Sequence, residues 1–223
     1  MVRYQLVQFI FYSSLLVFSP TNHADELAQL IQQLDDIRVS QGITAYAIVI
    51  TTPSQIIIAE NRGALGLDSD QKISPTAYFR VGSITKSFIG LAALIAEQDD
   101  LLQLSDPVRQ HIGSDYFQNP WRESVPVTIE QLLQHSGGLA DMSSREEFNH
   151  NTEISNRDGL ALYAKDRKIQ WAPGQYYSYS NTGFGLAGLA IENASQMSIE
   201  EFCASVYLAH WKCPRQRLSI RNR

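Results

Sequence analysis

Only two cysteines, Cys203 and Cys213, occur in 223 residues. That is too few for a disulfide framework, although the two could pair after export. No group of His, Cys and carboxylate residues has metal-ligand spacing, and no glycine-rich nucleotide loop is present despite 13 glycines. The chain is therefore expected to work without a metal or cofactor. Basic charge is also scarce: 18 Lys and Arg against 23 Asp and Glu leave a net charge of −5 and a pI near 5.5, which argues against nucleic acid as a partner. There are no repeats, low-complexity tracts or linkers. With 44% hydrophobic residues, the composition suits one globular domain.

Long apolar runs are missing too. Leu6–Phe18 is apolar apart from Gln8 and small hydroxyls, follows Arg3 and ends at Ser19-Pro20. Its 13 residues fall short of the ~20 needed to span a bilayer. The shape is that of a secretory signal over residues 1–24, cleaved after Ala24, so the expectation is a secreted or periplasmic protein with no stable membrane span after cleavage.

What is present is a serine with a lysine three residues on. Ser83-Ile84-Thr85-Lys86 heads an apolar run through Phe88, Ile89, Leu91, Ala92, Leu94 and Ile95, broad enough for a buried helix. Residues three apart share a helix face, so Lys86 can reach the Ser83 hydroxyl. A first-turn serine also has unpaired backbone N–H groups and the positive dipole end nearby. A free lysine titrates near ~10.4 and becomes a base near neutrality only where desolvation or neighbouring positive charge acts on it. The pattern thus calls for a crowded, buried site. Ser69-Asp70-Gln71-Lys72 has the same spacing, but it lies in a polar stretch running into Ser74-Pro75, which predicts a loop.

A second motif follows. Among ten tyrosines, only Tyr179 has an asparagine two positions later, Asn181. Pro173-Gly174 punctuates a turn before it, and Phe184, Leu186, Ala187, Leu189, Ala190 and Ile191 mark a buried helix after it. Tyr179 and Asn181 are therefore placed on a loop between packed elements, where catalytic side chains are often held. The plainer alternative is a packing tyrosine and an asparagine that caps the helix near Thr182. Upstream, Leu27, Leu30, Ile31 and Leu34 predict a helix over Glu26–Val39, and strands at Tyr46–Thr51 and Gln55–Ala59 predict a hairpin through Thr52-Pro53-Ser54. Asn193-Ala194-Ser195 is a sequon only in a eukaryotic secretory pathway and is otherwise a helix-end turn.

Four segments in order resemble the β-lactamase-related serine hydrolases: Phe79–Phe88, Leu101–Val108, Val127–Leu139, and Pro173-Gly174 through Tyr179-Ser180-Asn181-Thr182-Gly183. The family includes class C β-lactamases, penicillin-binding D-alanyl-D-alanine carboxypeptidases and related esterases. The resemblance covers about residues 26–209. It implies an α+β fold, an antiparallel sheet flanked by helices plus a mostly helical lobe. It also implies Ser83 as the acylated nucleophile, Lys86 and Tyr179 as the groups that move its proton, and Asn181 as a holder of Lys86 or of a substrate amide. The partner is then a small-molecule or peptide substrate.

The resemblance also calls for a Lys-Thr-Gly or His-x-Gly strand after the tyrosine motif. None follows Asn181. His135-Ser136-Gly137 fits superficially but precedes Tyr179 and is expected to be structural. From His210 onward the chain has five cations in 14 residues and no acid, whereas residues 1–209 carry 13 basic and 23 acidic side chains. This predicts a partial β-lactamase-related domain over residues 25–209 and an atypical basic tail over 210–223, expected to be the product of a shifted or mis-spliced frame, with a disordered basic tail or an anionic-membrane contact as the alternatives. Two functions follow: a serine acyl hydrolase acting through an acyl-enzyme on a β-lactam, a D-alanyl peptide or an ester, or an incompetent fragment that at most binds ligand.

Overall fold

The computed structural model describes residues 23–66, 68–113, 116–121, 123–143, 146 and 154–211. The Leu6–Phe18 stretch and the tail from Lys212, with Cys213, lie outside them. Two compact units divide between Arg80 and Val81.

Among the described residues, the first unit has one helix and one hairpin. Helix α1 spans His23–Ser40, with Asp25 and Glu26 in its first turn and Arg38 in its last, charges that oppose the helix dipole. Its apolar stripe turns Ile31 inward as a buried residue and leaves Leu27, Leu30 and Leu34 half-buried. The Tyr46 hydroxyl donates to the Ile31 carbonyl at 3.3 Å. Strands β1 (Ala45–Thr51) and β2 (Ile56–Gly63) pair antiparallel from Ala45 opposite Gly63 to Thr51 opposite Ile56, with an irregularity at Ile50/Thr51. Thr52 closes the turn by donating its N–H to the Gln55 carbonyl at 2.8 Å and accepting the Gln55 N–H on Oγ1 at 3.1 Å. β2 runs past the expected Ala59 because Glu60, Asn61 and Arg62 pair through their backbones with Ile48, Ala47 and Tyr46, a partnership indifferent to side-chain polarity. Ser69–Lys72 is a loop, as expected, and the Ser69 hydroxyl accepts the Gln71 N–H at 3.2 Å.

The second unit is helical. It contains α2 (Thr85–Gln98), α3 (Val108–Ile112), α4 (Ile129–Leu133), α5 (Asn156–Leu162), α6 (Asn181–Ser195) and α7 (Ile199–Trp211). All the others pack on α6. α6 is apolar around its circumference, burying Thr182, Gly183 and Leu186 through Ile191, as a central helix must. Gly183 lets α4 approach: a Cβ there would stand 3.2 Å from the Leu132 carbonyl oxygen. α2 turns Ile89, Ala92, Ala93 and Ala96 inward at i, i+3, i+4 and i+7. Three of these are alanines, whose small side chains keep the α2–α6 contact close.

Local chemistry sets the helix starts. Thr128 and Gln131 form a reciprocal capping box on α4. Ser155 accepts the Asp158 N–H at α5, and Ser180 accepts the Gly183 N–H at 3.2 Å at α6. The cap of α6 is thus Ser180, and Asn181 is the first helical residue. α6 ends at Gln196 in the left-handed conformation, φ 57. This places Asn193-Ala194-Ser195 in the last turn, where Asn193 donates to the His111 carbonyl at 2.7 Å. Cys203 is a free, buried thiol that burial pushes up to about 11. The architecture is α+β, with one two-stranded antiparallel sheet among the described residues.

Candidate active site

Ser83 sits in a single 3-10 turn, Gly82–Ile84, that leads directly into α2. Gly82 has φ 54, a conformation glycine adopts without strain, and it turns the chain into the helix. The entry differs from a plain first turn. The Ile84 N–H bonds to the Val81 carbonyl at 3.2 Å, and the Thr85 N–H to the carbonyls of Gly82 and Ser83. Those two donors are therefore already engaged.

The four residues singled out in the sequence come together. The Ser83 Oγ and Tyr179 hydroxyl lie 2.7 Å apart. Lys86 Nζ donates to Ser83 Oγ at 3.3 Å and to Asn181 Oδ1 at 2.5 Å. The ammonium also lies 4.9 Å from the centre of the Tyr179 ring and 5.6 Å from that of Phe184, a favourable position for a cation. Because Lys86 donates to Ser83 Oγ, the serine's own proton can point at the tyrosine oxygen. The hydrogen bond from Lys86, and then that from Ser83, hold the Tyr179 phenol below its ordinary value.

The expectation of a crowded, buried site is not met. Ser83 is exposed, Lys86 is half-buried and Tyr179 is 38% exposed. Ser83 and Ile84 are exposed, and the buried face of α2 begins only at Ile89.

Sequence reasoning missed Asp141, and it singled out His135 only as a structural residue. Asp141 accepts the Asn181 N–H on Oδ1 at 2.8 Å and the Asn181 Nδ2 on Oδ2 at 3.2 Å. With Nδ2 committed to the carboxylate, Oδ1 is left facing Lys86, so Asp141 sets which end of the amide the lysine meets. His135 packs its ring 4.4 Å from that of Tyr179 and accepts the Ser180 N–H on Nδ1 at 3.1 Å. Burial, and then the charge of Lys86, depress the imidazole, and Asp141 opposes them. His135 and Asp141 reach the site through the turn after α4. There His135 has φ 59 and Gly138 has φ 77, and a Cβ on Gly138 would meet the Trp171 carbonyl oxygen at 2.5 Å. The histidine in this backbone region was the one available signal, since left-handed non-glycine residues are uncommon, but it is visible only in three dimensions. Among the described residues no group of His, Cys, Asp and Glu could hold a metal ion, and no helix is long and apolar enough to cross a membrane.

Comparison with known proteins bears on the family and the fold. The family model Beta-lactamase matches residues 27–210. "Protein flp" of Staphylococcus aureus (strain MW2) is 28% identical over 190 residues, covering 83% of this chain and 37% of the relative. A "Beta-lactamase" of Yersinia enterocolitica is 25% identical over 142 residues, covering 64% of this chain and 34% of the relative. Among solved structures, the octameric penicillin-binding protein homologue from Pyrococcus abyssi superposes with a TM-score of 0.68 at 26% identity, covering 82% of this chain and 42% of that one. EstCE1, a hydrolase with promiscuous acyltransferase activity, shares the fold at a TM-score of 0.69 and 20% identity, covering 84% and 52%. The chain spans less than half the length of the curated relatives it matches. The order of its motifs, the fold they build and the match over residues 27–210 agree, and the chain belongs to the β-lactamase family.

Proposed function

We propose that this chain carries the nucleophile and proton-handling half of a serine acyl hydrolase, with Ser83 as the residue acylated. The observation that carries the reading is the three-way contact of Ser83 Oγ with the Tyr179 hydroxyl at 2.7 Å and Lys86 Nζ at 3.3 Å. A serine hydroxyl is a weak nucleophile until a neighbouring base takes its proton, and here two candidate bases touch one oxygen.

The chemistry runs in two halves. As Ser83 Oγ bonds to the substrate's carbonyl carbon, its proton passes to the Lys86–Tyr179 pair, and the carbonyl π electrons move onto oxygen. When that oxyanion collapses, the bond to the leaving group breaks, and the leaving nitrogen or oxygen takes the proton from the pair. The product is a Ser83 ester. A water then gives a proton to Tyr179 as it attacks the ester carbonyl, and Ser83 Oγ leaves with a proton returned through the same pair. The lowered Tyr179 phenol supports its part in both halves, since Lys86 stabilises the phenolate that accepts the proton at the start of each half and is regenerated when the proton is passed on. Asn181, oriented by Asp141, anchors Lys86, or in the alternative holds a substrate amide.

The substrate class proposed is an activated or strained acyl compound: a β-lactam, a D-alanyl peptide or a simple ester. Neighbours of the same fold include a D-amino acid amidase from Ochrobactrum anthropi and a beta-lactamase/D-alanine carboxypeptidase from Yersinia pestis. Export to a secreted or periplasmic location, with residues 25–209 forming the domain, belongs to the same reading. A second reading, in which the site binds or is acylated but turns over little, is favoured by the exposure of Ser83 and Tyr179. Removing a single oxyanion donor costs roughly 10²–10³ in rate in other hydrolases.

Labelling with a fluorophosphonate and with a fluorescent penicillin, followed by peptide mapping, tests the assignment. The adduct is expected on Ser83 and lost in Ser83→Ala. An adduct on Ser69 or Ser136 that survives Ser83→Ala would overturn it. Tyr179→Phe should lower the rate by about 10²-fold or more, the lower range for a positioned acid–base group. Nitrocefin and p-nitrophenyl ester hydrolysis then separates turnover from labelling alone.

A further inference from the structure

We propose that His135 is the positioning residue of Tyr179: its backbone and its ring nitrogen grip the two residues on either side of the tyrosine, and its ring backs the phenol. The inference rests on Tyr179 being the proton-handling group proposed above.

Three contacts make the grip. The His135 carbonyl accepts the N–H of Ser178 at 2.8 Å, and His135 Nδ1 accepts the N–H of Ser180 at 3.1 Å. Between those two anchors the imidazole lies 4.4 Å from the Tyr179 ring at a tilt of 30°, within the range of offset aromatic packing. Tyr179 belongs to no helix or strand, so no regular backbone ladder holds it. A phenol that must stay 2.7 Å from a serine oxygen needs its backbone fixed from both sides, and one residue does so here.

The grip is built deliberately. His135 directs its carbonyl and its ring at the same loop only because its backbone is left-handed, with φ 59. The turn that imposes this is itself tied down by the Ser136 N–H on the Gln131 carbonyl and the Gly174 N–H on the Ser136 carbonyl, both at 2.8 Å. Phe184 of α6 closes the far side of the ring at 5.2 Å, and Tyr177 meets its edge at 5.7 Å.

The grip also specifies a protonation state. Nδ1 can accept an N–H only while it bears no proton, so the imidazole is neutral with its proton on Nε2. Lys86 and Asp141 are the charged groups that act on it, and Tyr177 and Tyr179 are the titratable groups whose rings face it. Burial and the lysine outweigh the aspartate and hold the imidazole below its ordinary value. Protonation would turn Nδ1 into a donor facing another donor and release Ser180.

A double-mutant cycle on the full chain tests this, reading the second-order rate of fluorophosphonate acylation in the parent, His135→Ala, Tyr179→Phe and the double variant. If His135 acts through Tyr179, His135→Ala slows the parent about tenfold and has no further effect in Tyr179→Phe. Losses that simply multiply would show a general structural role and overturn the proposal. His135→Asn is the control for folding, because asparagine tolerates the left-handed backbone and places Oδ1 near the position of Nδ1. It should recover most of the rate and lose the parent's decline on the acid side. An unchanged acid limb in His135→Asn would count against the grip. ¹⁵N NMR of the labelled imidazole needs no activity: an unprotonated Nδ1 at neutral pH is expected, and a protonated one sinks the idea. Tyr179→Phe acylating as fast as the parent would instead refute the proposed function, leaving the NMR result to decide the grip.

Discussion

Around α6, leucine, isoleucine and alanine side chains are sealed from water, whereas in the unit that ends at Arg80 Ile31 is the one apolar residue so buried among those described. There Val49 is 62% exposed, and Ile37, Val39 and Ile56 are exposed as well. The difference lies in what each sequence offers its neighbours. α6 presents small residues at Gly183 and Gly188 and large ones at Leu186, Leu189 and Ile191, so helices can close on it from several directions. A two-stranded hairpin has two faces and, among the described residues of its own unit, one helix to cover them. Every candidate site residue belongs to the sealed unit, so the geometry of the site should follow the packing around α6.

The largest expected effect is therefore in that packing. Leu186→Ala removes a fully buried side chain of α6 and should cost about 2–5 kcal/mol of unfolding free energy, with acylation of Ser83 falling in parallel. Chemical denaturation with labelling at each point checks both. A cost of no more than about 0.5 kcal/mol, the range of surface substitutions, would break the contrast between the two units.

Next comes Asp141→Ala, which frees the Asn181 amide to rotate and should slow acylation about tenfold, the order of one hydrogen bond to a charged group. Its melting temperature should barely move, since Asp141 is exposed. A large drop in melting temperature at unchanged rate would assign the aspartate to stability instead.

Acid should expose a smaller difference. Asp106 accepts the Gln103 N–H at 2.9 Å and pairs with His111 at 2.8 Å, and these contacts, the backbone one first, hold its carboxyl below the usual range. A carboxyl lowered in the folded state contributes stability above its unfolded value, near ~3.9, and loses it as pH falls through the lower folded value. Asp106→Asn should flatten that part of the acid-melting curve, and thermal melts between neutral pH and strong acid read it out. The smallest effect belongs to the hairpin, where Val49→Thr should change unfolding free energy by no more than about 0.5 kcal/mol.

Much of this was written in the chain. The apolar run after Ser83 and the proline beside Ser69-Lys72 separated two identical spacings, and both readings fit the structure: one serine heads a packed helix and the other lies in a loop. The hairpin was legible from the two strands on either side of Thr52-Pro53-Ser54, and α1 from the Leu27–Leu34 stripe. The extension of β2 to Gly63 was not, because backbone pairing carries it through polar residues. Nor was the openness of the site, where the buried face of α2 begins only at Ile89. Asp141 and His135 lie 40 and 45 residues from the groups they hold. Their part comes from a left-handed turn that no periodicity announces.

The burial of α6 reaches beyond packing into time. Amide protons in the middle of a helix enclosed on every side exchange with solvent only when the surrounding unit opens, at a rate set by its whole stability. The Asn181 N–H, held by the exposed Asp141 carboxylate, can exchange through smaller local openings. α6 therefore runs from a slow interior to a fast end, and the fast end is the one that holds Lys86.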